Sequence, residues 1–244
     1  MVPRLKIFNS LISVLFPNVC VSCKDIIEEG EFLCDYCYEM IERTAGDKIC
    51  NKCGNMKKRC ECRKRVYRFV SVIAPFFNEG IAKKALYAFK IGKREEIAKF
   101  FINEMVLAIK QSFYDIKFDE VCFVPMFKRD ELKKGFNHSE LLAKGIAEKL
   151  GIKFSELLLS RKKKMPQHKL RPKERMENVK GIYYCNKNLS GKTILLVDDI
   201  KTTGATLDEC TKQLLFAGAE RVYCVTGVMS RGIDRNKKGE NNGN

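Results

Sequence analysis

The sequence predicts an α/β fold: a parallel sheet flanked by helices, with a small N-terminal Cys-rich zinc-binding module. Three observations lead there. From residue 66 onward, continuously apolar runs alternate with segments of helical period. Eight of the twelve cysteines fall in four close pairs between positions 20 and 62. The stretch "ILLVDDIKTTGATL" (194–207) follows an apolar strand with two acids and a Thr/Gly-rich turn. At 244 residues and 45% hydrophobic content, the chain has material for one good core and a small second module.

The elements follow in order. Residues 1–17 read as an N-terminal amphipathic helix, with Leu5, Phe8, Ile12 and Leu15 at helical spacing and Pro17 as its stop. No small-residue cleavage site follows, so a signal peptide is disfavoured, and no stretch approaches the ~20 apolar residues of a membrane span. Residues 18–65 form the cysteine module and 66–230 the α/β domain. Within the latter, strand "VYRFVSVIAPFF" is followed by helix "EGIAKKALYAFKIG" and helix "REEIAKFFINEMVLAIKQSF", the second with Ile97, Phe101, Met105 and Ile109 on one face. Strand "DEVCFVPM", a polar loop, helix "SELLAKGIAEKLG" and strand "FSELLLS" come next, then a basic segment from Arg161 to Lys180. Strand "KTILLVDDI", helix "TGATLDECTKQLLFAGA" and strand "RVYCVTGVM" complete the domain. The polar residues 231–244 read as a disordered tail.

The cysteine pairs have metal-ligand spacing. A C-x2-C knuckle brings two sulfurs to one tetrahedral ion, and two knuckles complete it. Cys20, Cys23, Cys34 and Cys37 make a first set; Cys50, Cys53, Cys60 and Cys62, closed by a cramped C-x-C, make a second. Disulfides are the alternative, but paired cysteines clustered over so short a span suit one or two structural Zn2+ in a reducing, cytoplasmic setting. Gly54, directly after Cys53, suits a knuckle turn. Four thiolates per ion leave no open position for catalysis, so the metal serves to fold the module. The remaining Cys122, Cys185, Cys210 and Cys224 read as buried small hydrophobes.

In the 194–207 stretch, Asp198 and Asp199 stand at the carboxyl end of a buried strand, where open α/β sheets bind ligands. Thr202, Thr203, Gly204, Ala205 and Thr206 lead into a helix whose N-terminal amides favour a phosphate. The acids would repel that phosphate but accept hydrogen bonds from vicinal hydroxyls, so the pair suits a ribose carrying a 5′-phosphate. The plain alternative is an N-capping turn with two solvated acids.

This stretch is similar to the signature with which type I phosphoribosyltransferases bind phosphoribosyl pyrophosphate (PRPP). The chain from about residue 5 to 230 resembles the ComF/ComFC competence-protein family, through that stretch, "VPMFKRDELKKGFNHSELLAKGIAEKLG" and "MPQHKLRPKERMENVKGIY" in the same order. The resemblance implies a type I phosphoribosyltransferase-like domain behind the zinc module. It implies catalytic or ligand roles for Asp198 and Asp199 on the ribose hydroxyls, directly or through Mg2+, with residues 202–206 around the 5′-phosphate and Val124–Phe127 as the pyrophosphate loop. Lys134 stands where the family often has Arg, which loses a bidentate anion contact but keeps the charge. Phe136, Asn137, Gln167, Arg175 and Asn178 follow the family pattern without an assigned chemical role. Arg129, Lys133 and Lys134 are candidates to stabilise departing pyrophosphate.

The formal charge of +16 points to a polyanionic partner. Eight thiolates holding two Zn2+ lower it to about +12. Positive charge concentrates in "KKRCECRKRVYR" (57–68) and "RKKKMPQHKLRPKER" (161–175), dense enough to bind DNA through phosphates alone. Tyr67 and Phe69 adjoin the first cluster, where they either stack on unpaired bases or pack in a core. His138 and His168 read as surface polar residues. The chain begins Met1-Val2 and its paired cysteines suit metal, which disfavours a glutaminase built on an N-terminal cysteine. The expected function is therefore a competence-type accessory protein that binds single-stranded DNA and PRPP during DNA uptake, with a DNA-import motor as partner. The rivals are an active phosphoribosyltransferase on an unidentified acceptor and a PRPP sensor with neither activity.

Overall fold

The computed structural model describes residues 17–44, 46, 48–92, 95–161 and 179–232. The expected helix over 1–17, the residues Gln167, His168, Arg175 and Asn178, and the tail beyond 232 lie outside the described residues, as do the side chains of Lys133 and Lys134.

The sheet is parallel throughout. Its strands are β1 (Val72–Ile73), β2 (Phe76–Phe77), β3 (Glu120–Phe123), β4 (Lys153–Phe154), β7 (Thr193–Lys201) and β8 (Arg221–Met229), in the order β1-β8-β7-β3-β4 with β2 also beside β8. A separate antiparallel pair joins β5 (Leu159–Ser160) to β6 (Tyr183–Tyr184). Both faces of β7 are buried. Leu195 and Val197 point into one core with Phe101, Met105 and Ile146, while Ile194 and Leu196 point into a second with Phe69, Leu207 and Leu214. A strand covered on both sides reads as a continuous apolar run, which is the pattern of residues 194–197.

After the short α1 (Asp35–Glu39) of the cysteine module, helices α2 (Gly80–Ile91), α3 (Glu95–Ser112) and α5 (His138–Leu150) cover the first face, and α6 (Ala205–Phe216) the second. The Ile97, Phe101, Met105, Ile109 stripe of α3 is buried as its spacing predicts. Asn137 caps α5, its side-chain carbonyl accepting from Ser139 N–H at 3.0 Å, and Gly151 ends it in the left-handed region. No helix among the described residues is long and apolar enough to cross a membrane.

Two expectations need correction. The strand expected over 66–77 is only the fragments β1 and β2, broken at Ala74-Pro75, where Pro has no N–H for a ladder. The expected strand "FSELLLS" divides likewise, Phe154 pairing with β3 and Leu159–Ser160 with Tyr183–Tyr184. The polar loop after β3 also contains a short helix, α4 (Lys128–Lys134), closed by Gly135 at positive φ.

The first core is aromatic. Phe101 is fully buried against Phe76, Phe89 and Phe100. Phe101→Ala is expected to cost about 3–5 kcal/mol by denaturant unfolding. Leu107→Ala, on the half-exposed side of the same helix, should stay within about 0.5 kcal/mol.

Candidate functional site

Both cysteine sets close into compact clusters, the four sulfurs of each lying within 4.8 Å of one another. The separations settle what they suit. Cys23–Cys34 is 3.7 Å, Cys50–Cys62 3.9 Å, Cys53–Cys60 3.8 Å and Cys50–Cys60 3.5 Å. A tetrahedral ion with Zn–S near 2.3 Å has edges of about 3.8 Å, whereas a disulfide needs about 2.05 Å. The cramped C-x-C set is as well assembled as the first, and both fit Zn2+.

The knuckles are built alike. Lys24 N–H donates to Cys20 O and Gly54 N–H to Cys50 O, and each residue after the second cysteine has positive φ. Lys24 takes that conformation on the surface. Gly54 is less free to change, because a Cβ there would press on Met229 and lie 3.1 Å from the backbone oxygen of Val72.

The acid pair lies inside β7 rather than at its end. β8 accompanies β7 as far as Lys201–Met229, whereas β3 stops at Phe123, opposite Val197. The acids thus begin where one neighbour ends and the sheet opens. Ser139 Oγ donates to Asp198 Oδ1 at 2.8 Å, and that same oxygen accepts Asp199 N–H at 2.9 Å. Lys90, from α2, pairs with Asp199 Oδ2 at 2.8 Å. Around the acids, Val124–Phe127, Asn137–Ser139 and Ser160 enclose a cavity of about 140 Å³. Asn137 also donates to Val124 O at 3.3 Å, tying that loop to the start of α5. A roomier cavity of about 400 Å³ near Arg43 and Gln111 has no charged lining group besides Arg43 and Glu104, which pair with each other.

Thr202–Gly204 turn the chain from β7 into α6, with Gly204 at φ 74° as the N-cap residue. Thr203 Oγ1 accepts from Ala205 N–H at 3.3 Å, and Ser230 Oγ donates to Thr202 O at 2.8 Å. The second cysteine module supports this turn from beneath. Arg65 Nη1 donates to Thr203 O at 3.0 Å and Tyr67 Oη to the same oxygen at 3.3 Å. Lys201 is 1% exposed and its ammonium donates to Asn55 Oδ1, two residues past Cys53. Burial pushes Lys201 down to about 8, against the opposing pull of Cys53. A Cβ on Gly204 would meet Tyr67 at 3.2 Å, so the glycine is needed for its positive φ and for this packing.

Several sequence readings change here. Tyr67 and Phe69 stack on each other at 4.9 Å in the second core, 2% and 0% exposed, so neither offers a face to a base. His138 is buried against Phe89 and Phe136, not on the surface, because it opens α5 beneath the acid pair. Cys122, Cys210 and Cys224 are fully buried as expected, but Cys185 is only partly so. Ser139 and Lys90 were not singled out in the sequence. The N-cap pattern at Asn137 marks Ser139's neighbourhood, while no local signal marks Lys90.

Residues 11–66 match the double zinc ribbon domain family, and residues 137–242 match the phosphoribosyl transferase domain family. The chain is 29% identical over 147 residues to DNA utilization protein YhgH of Salmonella typhimurium, covering 57% of this chain and 64% of that protein, so the match spans less than two thirds of that relative. It is 25% identical to DNA utilization protein YhgH of Escherichia coli K12, over 86% of this chain and 96% of that protein. To Competence protein ComFC of Streptococcus pneumoniae it is 26% identical, over 78% of this chain and 84% of that protein.

Metal analysis of the purified chain is expected to find two zinc ions, falling to one in Cys53→Ser. Gly204→Ala should lower the melting temperature, the left-handed backbone alone costing about 1–2 kcal/mol.

Proposed function

We propose that this chain, whose segments match a double zinc ribbon and a phosphoribosyl transferase domain and whose relatives include Competence protein ComFC and Competence protein F, is a competence-type accessory protein that binds single-stranded DNA and carries a PRPP site. The observation that carries the PRPP half is the placement of Asp198 and Asp199 between a small cavity and the Thr202–Gly204 turn that opens α6.

In this reading the two carboxylates accept the ribose hydroxyls, Asp198 held by Ser139 and Asp199 exchanging its Lys90 partner for the ligand. Mg2+, when bound with PRPP, supplies positive charge against the pyrophosphate oxygens. The amides at the start of α6 and the hydroxyls of Thr202, Thr203 and Thr206 receive the 5′-phosphate. Val124–Phe127, on the cavity's other side, faces the pyrophosphate, with the exposed Arg129 beside it. The residues fit such a ligand in their donor set: acids where hydroxyls would lie, and a helix N-terminus where the phosphate would lie.

The DNA half rests on charge and kinship. A strongly basic chain whose relatives carry names in DNA utilization and competence suits a polyanion handled in the cytoplasm and passed to an import motor. Zinc here holds structure, since each ion would be saturated by four thiolates.

Titration calorimetry with Mg·PRPP tests the site. Asp198→Asn with Asp199→Asn is expected to weaken binding about tenfold or more, while binding of a labelled single-stranded oligonucleotide is not lost. Absence of PRPP binding by the unaltered chain would remove the PRPP half. Pyrophosphate release with a candidate acceptor would instead make the chain a transferase.

A further inference from the structure

Helix α2 turns two unlike faces outward and inward. Ala82, Ala85, Leu86 and Phe89 are buried, whereas Lys83, Lys84, Tyr87 and Lys90 are exposed, Tyr87 at 67%. Positions 83, 87 and 90 lie on one stripe at helical spacing. That stripe borders a groove of about 760 Å³ whose other wall is the first zinc knuckle, with Val21, Ser22 and Lys24. Lys84 Nζ bridges the two walls by donating to Ser22 O at 3.0 Å. Four lysines line this groove and no acid does. Its lining is otherwise mostly apolar, with Val21, Leu86 and Ala88.

We propose that this groove is the track for single-stranded nucleic acid, with Lys90 shared between the track and the acid pair. The proposal rests on the single-strand reading above and gives it a place. An unpaired strand offers two chemistries at once, a row of phosphates and a row of flat apolar bases. Sequence-tolerant binders meet the first with cations and the second with exposed aromatic rings. Lys24, Lys83 and Lys84 supply the cations and Tyr87 the ring, which is what Tyr67 and Phe69 lack through burial. An acidic peptide would use the lysines but gain little from an exposed ring beside an apolar lining.

Lys90 gives the groove a second property. It lines the groove and also holds Asp199 at 2.8 Å. When Asp199 turns to Mg·PRPP, Lys90 loses its partner and its ammonium becomes available to a phosphate in the groove. Occupancy of the acid pair therefore raises affinity for the strand, and the strand raises affinity for PRPP by the same factor.

The test is fluorescence anisotropy with a labelled oligo-dT over a series of salt concentrations, using the full zinc-loaded chain. Lys83→Ala with Lys84→Ala is expected to flatten the slope of log affinity against log salt by about 1.4, two single-strand phosphate contacts at about 0.7 each. Tyr87→Ala should lose about tenfold in affinity while Tyr87→Phe keeps it, since stacking needs the ring and not the hydroxyl. Mg·PRPP should steepen the slope by about 0.7 in the unaltered chain and leave Lys90→Met unchanged. If the unaltered chain fails to bind oligo-dT at low salt, the single-strand reading itself fails. If it binds, but the exposed pair Lys57→Ala with Lys58→Ala costs as much as the groove variants and Tyr87→Ala is silent, the groove is overturned while the reading stands. Displacement of oligo-dT by a polyglutamate peptide whose own binding ignores Tyr87→Ala would make the groove an acidic-peptide site. No effect of Mg·PRPP on the slope would overturn the shared role of Lys90.

Discussion

A buried ammonium is the hinge of this structure. Lys201 ends β7 almost wholly removed from solvent, its Nζ on Asn55 of the second zinc ribbon. Burying an unpaired cation would cost several kcal/mol, and one amide oxygen does little to offset it. The zinc site nearby changes that balance. Four thiolates around one Zn2+ would carry a net charge of −2, and a Cys53 thiolate favours the charged form of Lys201 against burial and the nearby Arg65. An ion in that cluster, by holding its thiols as thiolates, would supply the field that keeps Lys201 in place, and Lys201 is the last residue before the Thr202–Gly204 turn. Arg65 and Tyr67, a few residues beyond Cys62, then hold Thr203 O from the same side.

It follows that the two family modules are one physical unit at the candidate site. The second ribbon is bound to the sheet by backbone as well as side chain: Val72 N–H donates to Lys52 O at 3.1 Å and Met56 N–H to Arg231 O at 3.2 Å. The first ribbon joins the opposite core, with Cys20, Phe32, Leu33 and Cys37 packed into the cluster of Phe76 and Phe101. Each cysteine set therefore serves one face of the sheet. A ribbon this poor in aliphatic side chains gains from the sheet the burial that its own sequence cannot provide, while the sheet gains a rigid floor for the turn.

Much of this was legible in the sequence because the signals are local. The run Ile194–Val197 announces a strand buried on both faces, and the cysteine spacings announce two four-cysteine sites regardless of what they pack on. The acid pair and the Gly204 turn are local too, though the reason for the glycine is not. The sequence suggests room for an anion, whereas the structure adds Tyr67 packed directly beneath. What escaped depends on contacts between distant residues. Ser139 reaches Asp198 across 59 positions, and Lys90 reaches Asp199 from another helix. Burial of His138 likewise follows from where α5 begins, not from the residues beside it. The strand expected over 66–77 failed for a local reason that was visible, Pro75, and the apolar count outweighed it wrongly.

The same distinction governs how the charge is to be read. Residues 57–68 are the densest basic stretch of the described chain, yet Arg65 is spent on Thr203 and Arg68 on Asp208, at 3.0 Å and 2.7 Å. Charge density along a sequence counts such internal partners as if they faced outward. Helix α2 carries fewer cations, and of these Lys84 donates to Ser22 O and Lys90 pairs with Asp199, but its buried face fixes their outward direction and no acid lines the groove beside Lys24 and Lys83. A polyanion responds to the cations that remain accessible beside a surface its bases can occupy. By that criterion the weaker run of charge is the better binding surface, and it is the one that touches the acid pair.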